Sequence, residues 1–130
     1  ANLTGVVKIR RSVKIDCPWH LTAGHLTVFG DHAALRLREP ITIGQRCVIS
    51  QYTILATEIL DPRTGQTVAA PITIEDECWV AADALVLPGT TIHAGTVVGS
   101  RAMVETDLPE WSIAVGEPAR AIKSRKFVNA

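Results

Sequence analysis

The stretch that decides the fold of this 130-residue chain is residues 74–108, which read IEDECW-VAADAL-VLPGTT-IHAGTV-VGSRAM-VETDL. Every sixth residue in it is aliphatic. The residue four places after each of these is small at all positions but the last. The two sets are Ile74, Val80, Val86, Ile92, Val98 and Val104, and Cys78, Ala84, Thr90, Thr96, Ala102 and Leu108. An α-helix has 3.6 residues per turn and would spread such a repeat around its whole surface. The repeat therefore predicts short strands joined by tight corners, with three hexapeptides to each coil of a parallel β-helix.

The same frame extends towards the N-terminus with interruptions. In-phase positions upstream are Ile9, Ile15 and Leu21, then Ala23, Phe29 and Leu35, then Ile43, Ile49 and Leu55. Leu35 lies one hexapeptide plus two residues before Ile43, so that coil is expected to be wider. Residues 57–71, TEILDPRTGQTVAAP, break the repeat and include two prolines and a glycine. We expect them to form a loop that protrudes from the stack.

The coils of a β-helix depend on one another, because each buries its apolar side chains against the coils above and below. We expect residues 1–116 to form this all-β domain. The tail ARAIKSRKFVNA has neither Pro nor Gly and is rich in Arg and Lys, which favours a helix. Residues 117–130 are therefore expected to form a turn and a short C-terminal helix packed on the same domain.

Composition limits the class of function. Apolar residues make up 47% of the chain and charged residues 20%, an ordinary globular balance. Thirteen basic and thirteen acidic residues leave no net charge, which argues against a nucleic-acid binder. Apolar runs are too short for membrane insertion. The three cysteines are odd in number and form no CxxC, which favours a reducing compartment. Since the start of the chain shows no signal-peptide pattern, we expect a cytoplasmic protein.

Several motifs resemble those of the hexapeptide-repeat acyltransferases of left-handed β-helix fold, and most closely the O-acetyltransferases of the colanic acid biosynthesis type. They are the repeat itself, the loop after ISQY, WVAADALVLPGTTI, VGEPARAIK and KIDCPWHLTAGHL. The left-handedness is implied by this resemblance alone. The resemblance also implies a homotrimer, with acetyl-CoA bound as co-substrate in a groove between adjacent β-helices. It implies transfer of the acyl group to a sugar or glycan hydroxyl.

The resemblance implies a general base in the protruding loop. In the family a loop His takes the proton from the sugar hydroxyl while backbone N–H groups hold the oxyanion. In this chain Leu60 stands at that position, and Leu37 stands near the position where some relatives carry an Asp for the acceptor hydroxyl. Glu58 and Asp61 are the titratable groups nearby, and either carboxylate could serve instead. His32 is a third candidate, because its coil would face the same cleft.

The resemblance also implies residues that bind coenzyme A. They are Ala81, Ala82, Ser100, Arg101, Pro118, Arg120 and Lys123. The small side chains of Ala81 and Ala82 would let backbone amides approach the pantetheine arm, and the cations would attract the phosphates. The family commonly has Lys where Thr106 stands and Asn where Glu117 stands. Both changes weaken the attraction to an anionic cofactor.

Two other interpretations remain open. The core positions keep their type while the chemistry-bearing positions change, which favours a catalytically impaired, trimeric binding or scaffold member of the same family. A zinc enzyme of the γ-carbonic anhydrase kind shares the fold, and His20 and His25 have the five-residue spacing of two of its ligands. No His precedes residue 20 to supply the third, so no metal is expected.

Overall fold

The computed structural model describes residues 1–125, which form short strands and one 3-10 helix, Pro18–His20. In chain order the first strands are β1 (Asn2–Leu3), β2 (Lys8–Ile9), β3 (Lys14–Ile15), β4 (Leu21–Ala23), β5 (Val28–Phe29), β6 (Ala34–Arg36), β7 (Ile41–Ile43), β8 (Val48–Ile49) and β9 (Ile54–Ala56). The others are β10 (Glu58–Leu60), β11 (Thr67–Ala69), β12 (Ile72–Ile74), β13 (Trp79–Val80), β14 (Leu85–Val86), β15 (Thr91–Ile92), β16 (Val97–Val98), β17 (Met103–Val104), β18 (Ser112–Gly116) and β19 (Ala119–Ser124).

Three sheets form the sides of a prism. Face 1 contains β1, β4, β7, β12 and β15; face 2 contains β2, β5, β8, β13, β16, β18 and β19; face 3 contains β3, β6, β9, β14 and β17. Successive strands of the chain pass from one face to the next, and within each face they pair parallel with strands of the adjacent coils. This is the parallel β-helix that the hexapeptide repeat predicts, with about six coils.

The core is a column of aliphatic side chains inside the prism. All six aliphatic repeat positions between residues 74 and 104 are buried, and so are the six positions that follow them by four residues. In face 1, Ala23, Ile43, Ile74 and Ile92 stack in register. Full burial of one such side chain contributes about 1.5–3 kcal/mol, so the stacked coils stabilise one another through this column.

The early coils are wider than the later ones. Ile74 pairs with Ile92, three hexapeptides later, whereas Ala23 pairs with Ile43, two residues further along than that. The segment between Leu35 and Ile43, which holds the two additional residues, places a side chain inside the prism, since Leu37 is fully buried. Leu37 therefore contributes to the core rather than to a polar site.

The predicted C-terminal helix is wrong within the described residues. There β18 and β19 form an antiparallel hairpin closed by a turn at Glu117 and Pro118, so the predicted division after residue 116 falls in this turn. The composition of the tail permits a helix, but β18 leaves backbone groups unpaired at the edge of face 2, and β19 satisfies them. The remainder of the predicted helix, residues 126–130, lies outside the described residues. Residues 1–125 contain no helix with the length and apolarity of a membrane span.

Candidate active site

The faces meet at three edges, which we name after residues that they carry. The hairpin edge, between faces 3 and 1, comprises residues 16–20, 37–40, 57–71, 87–90 and 105–107. The His32 edge, between faces 2 and 3, comprises residues 10–13, 30–33, 50–53, 81–84 and 99–102. The cysteine edge, between faces 1 and 2, comprises residues 4–7, 24–27, 44–47, 75–78 and 93–96.

The protruding loop predicted at 57–71 is an ordered β-hairpin, in which β10 pairs antiparallel with β11. Thr57 anchors its base. The buried hydroxyl of Thr57 donates to the carbonyl of Arg36 at 2.7 Å and accepts the N–H of Glu39 at 3.0 Å. The backbone N–H of Thr57 donates to the same Arg36 carbonyl at 3.0 Å. The hairpin is therefore tied to the corner of the preceding coil.

The predicted loop bases differ in their surroundings. Asp61 builds the hairpin turn, because its Oδ1 accepts the backbone N–H of Arg63 at 2.9 Å and lies 3.6 Å from the Arg63 Nε. Glu58 and Leu60 lie on one side of β10 and Ile59 on the other, since side chains alternate along a strand. The Leu60 side chain is 66% exposed.

A groove of about 630 Å³ lies between the hairpin and face 3. Ile59 and Val68, which pair across the hairpin, line one side of it. Leu87, Pro88 and Met103 line the other side. Because Ile59 faces this groove, Glu58 and Leu60 point to the opposite side of the hairpin. Asp61 also lines the groove, near Arg63 and Thr106.

Comparison with known proteins identifies the family, although no family model matches the chain. The Escherichia coli (strain K12) protein named "Putative colanic acid biosynthesis acetyltransferase" is 44% identical over 121 residues, which are 92% of this chain and 66% of that protein. A hexapeptide-repeat-containing acetyltransferase from Vibrio cholerae superposes with a TM-score of 0.89 at 28% identity, covering 97% of this chain and 74% of that chain. The chain belongs to the hexapeptide-repeat acyltransferase family.

A structure solved with a cofactor is among those that the chain resembles. It is the Vibrio cholerae acetyltransferase complexed with acetyl coenzyme A, with a TM-score of 0.88 and 27% identity over 97% of this chain and 72% of that chain. The chain spans about two thirds, 66%, of the length of the curated Escherichia coli relative. Family membership thus covers the β-helix and its hairpin.

The candidate residues that resemblance to the family implied for cofactor binding are divided between two places. Ala81, Ala82, Ser100 and Arg101 lie on the His32 edge, across face 3 from the hairpin. Pro118, Arg120 and Lys123 belong to the C-terminal hairpin at the end of face 2, where Arg120 and Lys123 are exposed. Within one chain, neither group lines the groove beside the β10–β11 hairpin.

His32 also lies on the His32 edge and takes part in a local network. Its ring stacks on Tyr52 with centroids 4.9 Å apart, and its backbone N–H donates to Ser12 Oγ at 2.8 Å. Ser12 Oγ and Arg10 Nε donate to the Asp31 carboxylate at 3.1 and 3.2 Å. The hydrogen bond from Arg10, with that from Ser12, holds the pKa of Asp31 below its usual range. These contacts tie the first two coils together at the border of face 3.

Sequence reasoning named Asp61 and Thr106 but missed the other residues that line the groove. Leu87 and Glu105 each directly follow an inward aliphatic residue, Val86 and Val104, at the end of a face 3 strand. The hexapeptide frame places Leu87 and Glu105 one above the other beside the protruding loop. The frame alone could therefore have predicted that these two residues lie next to the loop. The position of Met103 in the groove could not be predicted without the strand register, which pairs Met103 with Leu85 on the outer side of face 3.

The histidines considered as metal ligands lie apart. His20 is on the hairpin edge and His25 on the cysteine edge. Among residues 1–125, no three His, Cys, Asp or Glu side chains are grouped in a way that could hold a metal ion. The three cysteines are free thiols.

Proposed function

We propose that this chain is an acetyl-CoA-dependent O-acyltransferase that acts on a sugar or glycan hydroxyl, as a homotrimer in the cytoplasm. The observation that carries the proposal is the groove between the hairpin and face 3. Ile59, Val68, Leu87 and Met103 give it apolar sides, which suit the extended, largely apolar pantetheine arm of the cofactor. Arg63, with an exposed guanidinium, is the cation in its lining.

The relatives support both halves of the reaction. The Vibrio cholerae family member was solved with acetyl coenzyme A, which is the donor that we propose here. The Escherichia coli relative is named for colanic acid biosynthesis, and colanic acid is a polysaccharide, so a glycan acceptor is the corresponding proposal for this chain.

The outer surfaces of the prism support the proposed trimer. The outward column of face 3 begins with the exposed Lys14 and continues with Ala34, Ile54, Leu85 and Met103, which are in register and only half-buried. A continuous apolar column of this kind is typical of a surface that contacts another copy. The predicted cofactor residues of the His32 edge lie across this face from the groove. A neighbouring copy packed against face 3 would add a second wall to the groove and could supply those residues in trans.

The proposed chemistry is direct transfer. The acceptor oxygen attacks the thioester carbonyl carbon, a base removes the hydroxyl proton, and backbone N–H groups hold the oxyanion. Glu58, Asp61 and His32 are the bases predicted from the sequence. Asp61 is already held by Arg63 in the hairpin turn, while Glu58 faces away from the groove of its own chain.

Calorimetry with acetyl-CoA, followed by mass spectrometry of acylated products from a sugar panel, tests the proposal. We expect saturable binding and acetyl transfer to at least one sugar. Absence of binding would contradict the proposed donor. Among variants that fold, loss of transfer in Glu58→Gln or Asp61→Asn would identify a loop carboxylate as the base. Loss in His32→Ala alone would contradict a loop carboxylate.

The second candidate function is a catalytically impaired binding or scaffold protein. It is favoured by Leu60, an exposed apolar side chain at the position of the family's loop His. Binding of acetyl-CoA without transfer to any sugar, in protein shown to be trimeric, would support this alternative.

A further inference from the structure

His20 occupies a corner of the hairpin edge, two coils towards the N-terminus from the hairpin. It is the last residue of the 3-10 helix Pro18–His20, and β4 begins immediately after it. Its ring is half-buried, whereas the neighbouring Trp19 side chain is 70% exposed. The two rings meet edge to face with their centroids 6.1 Å apart.

A backbone carbonyl selects the tautomer of His20. The Nδ1 atom lies 2.7 Å from the carbonyl oxygen of Leu37. A carbonyl oxygen only accepts hydrogen bonds, so Nδ1 carries the proton and donates it. In the neutral ring Nε2 then keeps its lone pair. His20 is therefore oriented as a base whose proton-accepting atom is Nε2.

The corner that carries His20 is connected to the hairpin by hydrogen bonds through the next coil. The N–H of Leu37 donates to Asp16 Oδ1 at 2.7 Å, so side chains of one corner bind the Leu37 residue through both its backbone groups. The adjacent Arg36 carbonyl binds Thr57 at the base of the hairpin. A base held by such a network stays in one position while substrate enters.

The remaining histidines of the chain, all within the described residues, lie on other edges. His25 and His93 are on the cysteine edge, where Nδ1 of His25 accepts the N–H of Val6 and Nδ1 of His93 lies 3.1 Å from Glu75 Oε1. His32 is across face 3. His20 is thus the histidine that shares an edge with the hairpin and its groove.

We propose that His20 is the general base of the acyl transfer, in place of a histidine on the hairpin. This inference rests on the proposed function. Nε2 takes the proton of the acceptor hydroxyl while the oxygen forms a bond to the thioester carbonyl carbon. The carbon–sulfur bond then breaks, and the leaving thiolate takes the proton from Nε2. The products are the O-acyl ester and free coenzyme A. Trp19 offers the acceptor sugar an exposed aromatic face beside the base.

The activity test compares His20→Gln with the matched control His25→Gln. We expect His20→Gln to lower kcat about 100- to 10,000-fold, the usual contribution of a general base. We expect its acetyl-CoA Kd to stay within about threefold of the parent value, because His20 would contact the acceptor hydroxyl and is not among the residues that line the cofactor groove. His25→Gln, on the cysteine edge, should keep the parent kcat. A His20→Gln protein with parent kcat would overturn the inference and leave the proposed function standing, whereas a parent protein without transfer to any acceptor would defeat both.

Two further measurements guard against a variant that fails to fold. Nitrogen-15 chemical shifts of the labelled parent protein should show His20 protonated at Nδ1 and unprotonated at Nε2 in its neutral form; the opposite tautomer would overturn the inference without any activity assay. In His20→Ala, added imidazole should restore part of the lost turnover, as expected when the missing group is a proton acceptor. Folded protein that imidazole does not rescue would count against the role of His20.

Discussion

At the scale of single residues, Thr57 anchors the hairpin of the candidate site. Its hydroxyl both donates to Arg36 and accepts from Glu39, and it is fully buried where the chain leaves the prism for the hairpin. A buried polar group that loses its partner costs the full desolvation free energy of that group, so one hydroxyl decides how firmly the hairpin is attached.

Thr57→Val keeps the shape of the side chain and removes both hydroxyl contacts. Because the Glu39 N–H would lose its partner, we expect the free energy of unfolding to fall by about 1–3 kcal/mol. Urea denaturation measures this change. The matched control is Thr42→Val, an exposed threonine on face 1, which should stay within about 0.5 kcal/mol of the parent protein. Equal effects of the two substitutions would contradict the anchoring role.

The buried thiols illustrate how environment sets reactivity. Cys47 and Cys78 lie on the cysteine edge in adjacent coils, where the Cys47 thiol contacts the Glu75 carbonyl at 3.0 Å and the Cys78 thiol the His93 carbonyl at 3.2 Å. The hydrogen bond with Cys47, together with burial, raises the pKa of the Cys78 thiol. Since the thiolate is the reactive form, Cys78 is protected twice, by its pKa and by lack of access.

We therefore expect half-buried Cys17 to react first with a thiol reagent at neutral pH, and Cys78 only after unfolding. Mass spectrometry of the labelled peptides identifies the order, and early labelling of Cys78 would contradict it.

The raised pKa of Cys78 also links the free energy of unfolding to pH. The stabilisation from this thiol is fully present below the pKa of an unfolded thiol. It is lost as the pH rises past that value towards the folded pKa, because the unfolded chain releases the proton first.

At the scale of elements, the corners depend on residues with positive φ. Gly95 has φ +73°, and the Trp111 indole packs where its Cβ would be. Gly65, in the hairpin turn, has φ +71° and open space around it. The two glycines share a backbone conformation and differ in what surrounds them, so together they separate backbone strain from packing.

Gly65→Ala is expected to cost about 1–2 kcal/mol, the penalty of a left-handed alanine. Gly95→Ala should cost more, because the Trp111 ring must also move. Thermal unfolding followed by circular dichroism compares the two variants with the parent. If Gly95→Ala proves no more damaging than Gly65→Ala, the packing of Trp111 on this corner is not as described.

The hairpin is an addition to the prism rather than part of its core. The N–H of Ala70 donates to the Thr57 carbonyl at 2.9 Å, so the two ends of the hairpin are adjacent.

Replacement of residues 58–69 by a short Gly-Ser linker should leave cooperative unfolding and the β-sheet circular dichroism spectrum intact. It should weaken acetyl-CoA binding at least tenfold in calorimetry, because one side of the groove is removed. Undiminished binding would place the cofactor elsewhere.

At the scale of the whole molecule, the three faces differ in their outward side chains. Face 1 presents the polar column Thr22, Thr42, Thr73 and Thr91. Face 2 presents Lys8 at one end and then the apolar column Val28, Val48, Trp79, Val97 and Ile113. Face 3 presents the apolar column described above, which follows Lys14. In a homotrimer we therefore expect face 1 to remain in solvent.

Leu85→Lys places a charge in the middle of face 3, whereas Thr42→Lys places one on face 1. An unpaired charge in an interface carries a desolvation cost, so we expect the first substitution to dissociate the trimer and the second to leave it intact. Light scattering coupled to size-exclusion chromatography measures the mass of each. A parent protein that is monomeric, or a trimer that tolerates Leu85→Lys, would contradict the proposed use of face 3.

The coil stack and the position of the protruding loop could be predicted because their signals are local, whereas the pairing of that loop into a hairpin came from the structure. Each inward aliphatic residue, from Ile74 to Val104, meets the same environment as its neighbours one coil away, so periodicity alone reports burial. The wider second coil was visible as the two additional residues between Leu35 and Ile43. The strand Ala119–Ser124 was predicted wrongly as helix, because its conformation is imposed by the open edge of β18 rather than by its own residues.

By itself, the sequence determined the β-helix of this protein. A six-residue period buries every aliphatic side chain when each hexapeptide forms one side of a three-sided coil. Only the tertiary structure decided which distant residues share an edge. His20 and the hairpin lie far apart in the chain, and their alignment depends on the length of every coil between them. The same holds for the groove, where Ile59, Leu87 and Met103 come together because strand register and hairpin anchoring set distances that no local pattern records.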